Sequence, residues 1–359
     1  MKKLLFLIYI IFSSINLFAS EPLVAYKSEN TWIILDHEGK KILEKNDLLT
    51  IKSFSESLFV VSKKGDKPGE ILWGIMDLQG NVKIVPDADG IDEFVNGIAI
   101  VFKNTPEEEF EKKFGFIDRR GNFLTEYEFF DVTPFSNGLG YVWNNKERGY
   151  LNSTGAMAIP LPDGIAGYEF SNGYAAVSNP KYKVGYIDTL GNEILGFKYD
   201  EPGMFSEGLV RATFKGKIGY VDKNGKVAIP HEYYGGEKFS EDRVFLAVQG
   251  RKLIYMWALA DRKGNVLTEH KYYRVKPMSE GLAAVKTDTF WEFIGKDGKV
   301  VLDNEYRFAD SFKNGLAWAS QNTKDGNIKG GFIDKKGKYQ LIIDNLENVV
   351  DLRTNQRLY

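Results

Sequence analysis

The sequence predicts an all-β chain of about nine tandem hairpin units, 34–41 residues each, closed into a propeller-like ring. Three observations carry this expectation. A short aromatic strand running into a turn closed by Gly recurs nine times, and the turn is Asp-x-x-Gly in seven of them. A second turn, Phe-Ser-x-Gly, falls between successive copies. No heptad or 3.6-residue apolar pattern appears beyond the first twenty residues. An open superhelical β-array of the same units is the alternative arrangement.

Residues 1–20 read as an address. Lys2 and Lys3 precede an apolar run from Leu4 to Leu17, and Ala19 and Ser20 are small residues ahead of Glu21. This is the layout of a cleaved secretory signal peptide. The run is short of the ~20 residues that span a bilayer. The expected product is therefore a single repeat domain, 21–359, exported to the periplasm or secreted.

Composition narrows the function. The 359 residues contain no Cys, which excludes a disulfide framework, thiolate metal sites, a cysteine nucleophile and a lipoprotein anchor. Lys+Arg 47 against Asp+Glu 49 leaves a net charge of -2, without the basic footprint of a nucleic-acid binder. A hydrophobic fraction of 43% is too high for a disordered chain.

The strand motif runs from Trp32–Asp36 through Trp73–Asp77, Phe114–Asp118, Arg148–Asn152, Val184–Asp188, Ile218–Asp222, Trp257–Asp261 and Trp291–Gly295 to Gly330–Asp334. The turn Asp accepts backbone N–H groups and the closing Gly tolerates positive φ. An apolar strand follows, as in Lys226–Ile229, so the two strands form a hairpin. A Tyr recurs eleven residues after the turn Asp position at Tyr199, Tyr233, Tyr272 and Tyr306, with Tyr127 near that register. The Phe-Ser-x-Gly turn then opens a small-apolar strand such as Leu282–Val285. Each unit thus holds three or four short strands. The strand glycines, Gly74 to Gly331, are expected to admit close backbone or aromatic approach.

With Trp73-Gly74, the Tyr-Ile-Asp-x-x-Gly turn and the Phe-Ser-Glu-Gly-Leu phrase in phase, the chain resembles the WG-repeat family of bacterial proteins from about Leu23 to Tyr339. Trp holds the eponymous position only at Trp32, Trp73, Trp257 and Trp291, and three of these lack the paired Gly. The resemblance implies a β-repeat architecture and no single activity.

The ends bear on closure. Leu23–Trp32 aligns without a gap to Leu282–Trp291, so the array begins in mid-unit, and it stops in mid-unit after the hairpin 332–343. Complementary half-units predict strand exchange between the ends, which removes exposed sheet edges. Nine units exceed the usual four to eight blades, and 34 residues is short for four strands; both favour the open array.

Candidate sites are few. The repeated Asp residues read as turn caps, lacking the dense oxygen ligands of a Ca²⁺ loop, so no metal or cofactor is expected. In-phase aromatics read as core. Trp143 and Trp318 are out of phase, and exposed rings there would form a binding platform. The insertions 63–72, 103–113 and 321–329 are recognition candidates, since repeat insertions map to one face. The second carries Glu107, Glu108, Glu109, Phe110 and Glu111, a patch suited to a basic partner. His37, His231 and His270 share neither phase nor metal-ligand spacing. The resulting expectation is an exported, non-enzymatic scaffold for a protein or cell-envelope polymer. The alternative is a glycan-binding or carbohydrate-active protein using Trp143 and Trp318.

Overall fold

In the computed structural model, which describes residues 21–107, 110–250, 253–343 and 349–358, nine antiparallel sheets follow one another along the chain. The expected signal segment lies outside the described residues. Blade 2 has the common plan: strands Thr50–Ser55, Leu58–Lys64, Ile71–Met76 and Val82–Ile84 in spatial order. Blades 3 to 9 repeat it, with first strands beginning at Gly90, Asp131, Ala166, Phe205, Gly235, Arg274 and Phe308. Blade 7 keeps three named strands, and the bridges Trp257↔Tyr272 and Ala260↔Val266 mark where its fourth runs. No α-helix occurs among the described residues, and no helix there is long and apolar enough to cross a membrane.

Blade 1 closes the ring. Its strands Pro22–Ser28, Thr31–Asp36 and Lys41–Lys45 are completed by Val350–Asp351 and Gln356–Arg357. Val24 pairs with Asp351 and Ala25 with Val350. The complementary half-units thus do exchange strands, through a segment beyond the 332–343 hairpin. Nine buried clusters accompany the nine sheets, each spanning two neighbouring blades; Leu23, Trp318, Phe332 and Val349 share the one between blades 9 and 1.

Short units fit a ring of this size because the first strands shrink. Asp131–Val132, Phe205–Ser206, Gly235–Gly236, Arg274–Val275 and Phe308–Ala309 are two residues long. These strands surround the axis, since Asn355 of blade 1 donates its Nδ2–H to Glu93 of blade 3 across the intervening blade.

Two repeat positions owe their chemistry to this packing. The strand Gly, as in Gly219, lies against the fourth strand, where a Cβ would sit 2.7 Å from the Ile229 carbonyl oxygen. The equivalent distance is 2.1–2.7 Å at Gly74, Gly115, Gly149, Gly185 and Gly331. The recurrent Tyr closes the same hairpin: Tyr199, Tyr233 and Tyr306 pair with Val184, Ile218 and Trp291. In blade 3 this register belongs to buried Phe129, opposite Phe114, rather than to Tyr127, whose hydroxyl donates to the Pro86 carbonyl.

Candidate functional site

Alternating strand direction sorts the turns onto two faces. One carries the first-to-second and third-to-fourth turns. The other carries the second-to-third turns and the connections between blades.

The first face is occupied by bonds between blades. Asn137 and Gly138 both have positive φ, 53° and 79°, and Ser136 and Leu139 exchange 3.0 Å bonds, giving a two-residue primed hairpin. This turn latches onto the next blade. The hydroxyls of Ser171, Ser206, Ser240 and Ser279 donate to the carbonyls of Phe205, Phe239, Met278 and Phe312 at 2.5–2.8 Å. The acidic or amide residue that follows accepts from backbone N–H groups of the next turn: Glu56 from Gly97 at 2.9 Å, Asn137 from Gly173 at 3.2 Å, Glu280 from Gly315 at 3.0 Å. A basic residue from the next Asp-x-x-Gly turn joins each Glu, as Lys296 joins Glu241 at 3.0 Å and Lys335 joins Glu280 at 3.1 Å. The Asp residues cap their own turns. Asp188 Oδ1 accepts from Leu190 and Asn192, and Oδ2 from the Asn192 amide. The Asn192 side chain, then the backbone N–H groups, hold this carboxyl below the usual carboxylate range against a desolvation effect. The oxygens of the repeated Asp are thus committed to the turn.

The opposite face is variable. Its second-to-third connections run from Glu29–Asn30 to the stretch 105–111, and all three sequence insertions lie on it. Trp143 and Phe110, from successive blades, meet here with ring centroids 5.6 Å apart. Phe110 stacks on Phe130 at 4.2 Å, and Trp143 abuts both Phe rims, 5.8 Å from Phe130. Arg148 lies over the Trp143 ring at 5.1 Å. Trp143 is therefore half-buried under its own neighbours rather than presented as a bare platform. Glu107 and Glu111 are exposed beside it, and Glu108 and Glu109 lie outside the described residues. Trp318 corrects the expectation for its position. It is 0% exposed, packed edge-on against Phe332 at 5.2 Å between blades 9 and 1, and no ligand can stack on it.

The most apolar part of this face was not singled out from sequence. Around blade 7, Leu253 (76% exposed), Ile254 and Tyr255 project from one hairpin. Exposed Tyr234 and Tyr273 flank that hairpin on the connections entering blades 7 and 8. Tyr234 and Tyr255 stack at 6.4 Å, and Lys217 Nζ sits over the Tyr234 ring. Patches of exposed large apolar side chains mark interaction sites. The only sequence signal was that Tyr233-Tyr234 and Tyr272-Tyr273 double the repeat Tyr, the second residue of each pair facing out. The histidines remain dispersed; burial lowers the pKa of His231 and His270.

The family model described as WG containing repeat matches residues 73–104, 114–146, 185–217, 218–252, 257–288 and 293–324. The chain belongs to this family. Each matched segment starts in the third strand of one blade and runs through the first two strands of the next, so the six together touch blades 2 to 9. Among curated proteins none matches the WG chain. Among solved structures it is similar to a eukaryotic initiation factor at TM-score 0.64 and 10% identity, covering 90% of this chain and 96% of that one. It also aligns with the β-propeller domain of the Trilobed protease from Pyrococcus furiosus (TM-score 0.40, 11% identity, 83% and 98% covered). A third alignment is to BamB from Moraxella catarrhalis (TM-score 0.37, 11% identity, 85% and 95% covered). At such identities the first likeness speaks to the fold alone.

Proposed function

We propose that this WG-repeat propeller is an exported, non-enzymatic scaffold that binds a protein partner on its variable face, centred on blade 7. The observation that carries the reading is the exposed group Tyr234, Leu253, Ile254, Tyr255 and Tyr273 on the face that is free of latches. Tyrosines supply large contact area with a polar tip, and such residues anchor protein interfaces. The glycan alternative is weaker, because Trp318 is buried and the Trp143 ring is covered by Arg148 and two Phe rims. Export rests on the layout of residues 1–20.

Photo-crosslinking from position 253 in cells tests the docking surface. A discrete protein adduct is expected, lost on Tyr255→Ala with Tyr234→Ala and retained on Trp143→Ala. An adduct lost only with Trp143→Ala would move the interface to the Phe110 cluster. N-terminal sequencing of the exported chain should begin near Ser20 or Glu21; recovery of an uncleaved cytoplasmic chain would refute export.

A further inference from the structure

A Lys-Trp pair that is satisfied in blade 1 stands without its acceptor in blade 8. In blade 1, Lys27 and Trp32 face each other across neighbouring strands, and Lys27 Nζ and Trp32 Nε1 both donate to the Leu49 carbonyl at 3.3 Å. Lys286 and Trp291 hold the same two positions in blade 8. Neither has a hydrogen-bond acceptor among the described residues. Trp291 is 5% exposed and packs against Phe312 and Ala317 of blade 9, yet its Nε1–H is not sealed off. A donor on so buried a side chain is costly to leave unpaired.

The inner strand of blade 8 adds a third donor to the row. Arg274 pairs with Lys286, which pairs with Trp291, so the three side chains stand side by side on the face turned to blade 9. Like charges placed directly opposite each other destabilise a sheet. Arg274 also lacks a hydrogen bond or ion pair among the described residues. Two positions on, Lys276 Nζ lies 3.0 Å from Asp310 of blade 9. That cation has its counter-charge, whereas Arg274 and Lys286 have none.

Arg274 and Trp291 line a cavity of about 330 Å³, with Lys286 in register between them. The volume is within the range of small-molecule sites. Trp257, Tyr273 and Phe308 complete its aromatic walls. Glu237, the one carboxylate among the described lining residues, belongs to blade 7, on the side of the inner strand that Val275 faces. Three donors without an acceptor set the sign of the guest, and the walls set its body.

We propose that this cavity binds a small aromatic carboxylate. Its oxygens accept from Arg274, Lys286 and the Trp291 Nε1–H, the guanidinium fork matching a carboxylate through two parallel bonds. Its ring lies among Trp257, Tyr273 and Phe308. The site uses no residue of the Leu253 hairpin, so it stands or falls apart from the docking surface.

Titration of the whole protein with N-acetylphenylalanine, read by tryptophan fluorescence and calorimetry, tests this. Saturable binding is expected, with the uncharged N-acetylphenylalaninamide at least about tenfold weaker. Acetate, the carboxylate without the ring, should be weaker by a similar factor. Arg274→Gln and Lys286→Gln should each weaken the acid by about five- to tenfold and leave the amide unchanged. Trp291→Phe keeps a ring in the core and removes the N–H, and should also weaken the acid; if it does not fold, the two Gln variants carry the test. Tighter binding of the peptide Ala-Ala-Ala-Phe with a free carboxyl end would assign the site to a chain end, and weaker binding to a free small acid. Equal binding of acid and amide, equal binding of acetate, no saturable binding at millimolar ligand, or wild-type affinity in the Arg274→Gln, Lys286→Gln double variant would each overturn the proposal.

Discussion

Arg353 and Asp351 face each other through two bonds, Nε to Oδ1 at 3.0 Å and Nη2 to Oδ2 at 2.6 Å, with both side chains buried where blade 9 meets blade 1. Arg353 Nη1 also donates to the carbonyls of Lys313 and Leu316, and the guanidinium lies 4.7 Å from the Phe332 ring. A charged clamp thus replaces the Ser-to-carbonyl latch at the seam. Removing one partner of a buried pair strands the other charge, at a cost of about 3–5 kcal/mol. Arg353→Ala should lose that much in denaturant unfolding. Arg353→Met combined with Asp351→Leu should recover part of it. A loss below about 1 kcal/mol in the single variant would mean that the pair behaves as a surface ion pair.

Closure predicts a second, larger effect. Deleting residues 21–30 removes the strand that receives Val350–Asp351 and breaks the cluster holding Leu23, Val24 and Trp318. The shortened chain should lose cooperative melting or melt far lower. A small fall in melting temperature would show that the blades are held mainly by their neighbours and not by the ring.

Gly219→Ala tests the close approach of the third and fourth strands. The new Cβ would meet the Ile229 carbonyl oxygen at 2.7 Å and the His231 N at 2.8 Å, both backbone atoms. Overpacking of this kind costs about 1–3 kcal/mol. Unchanged stability in chemical unfolding would show that the fourth strand yields freely.

The latch has its own signature. Ser206→Ala removes the 2.6 Å bond to the Phe239 carbonyl, a loss of about 1 kcal/mol. Glu207→Ala should cost more, because it also strands the N–H groups of Glu241 and Asp242 and releases Arg262. Equal stability of the two variants would argue against that ranking.

The turn carboxylates predict an acid dependence. Asp77 is held below the usual carboxylate range first by the Asn81 side-chain amide, with backbone N–H groups adding to it against desolvation; Asp188 and Asn192 repeat the arrangement. A carboxyl whose folded value is lowered stabilises the fold above its unfolded value of about 3.9, and this is lost as pH falls through the folded value. Asn81→Ala with Asn192→Ala should therefore be less stable than the parent at neutral pH, with the gap narrowing below about pH 4. A gap that does not change between pH 7 and pH 2 would refute the linkage.

Much of the architecture was legible because turn chemistry is local. Asp188, Gly191 and Asn192 announce a capped turn, and nine Gly-closed turns at this position of the repeat, seven of them Asp-x-x-Gly, imply nine blades. The half-units at the two ends announced closure. The latch was not legible in the same way: Ser206 and Glu207 bond to the backbone of the next blade, and a backbone carbonyl leaves no residue type to read. Trp318 misled because its strand position is an inward one, held by buried Tyr141 in blade 4 and Phe245 in blade 7, so that its ring fills the core between blades 9 and 1. The blade 7 patch escaped because Leu253, Ile254 and Tyr255 read as ordinary apolar strand residues until a positive φ of 63° at Leu253 turns that hairpin outward.

The pairing of Val24 with Asp351 also orders events in time. Hairpins assemble from neighbours in sequence and form quickly, whereas this contact waits on nearly the whole chain. Until Val350 joins it, the strand Pro22–Ser28 presents a bare edge, the kind of surface that invites aggregation and chaperone capture. A truncated product keeps that edge and a finished one conceals it. The strand Val350–Asp351 therefore covers an edge that stays bare in any chain that stops short of it.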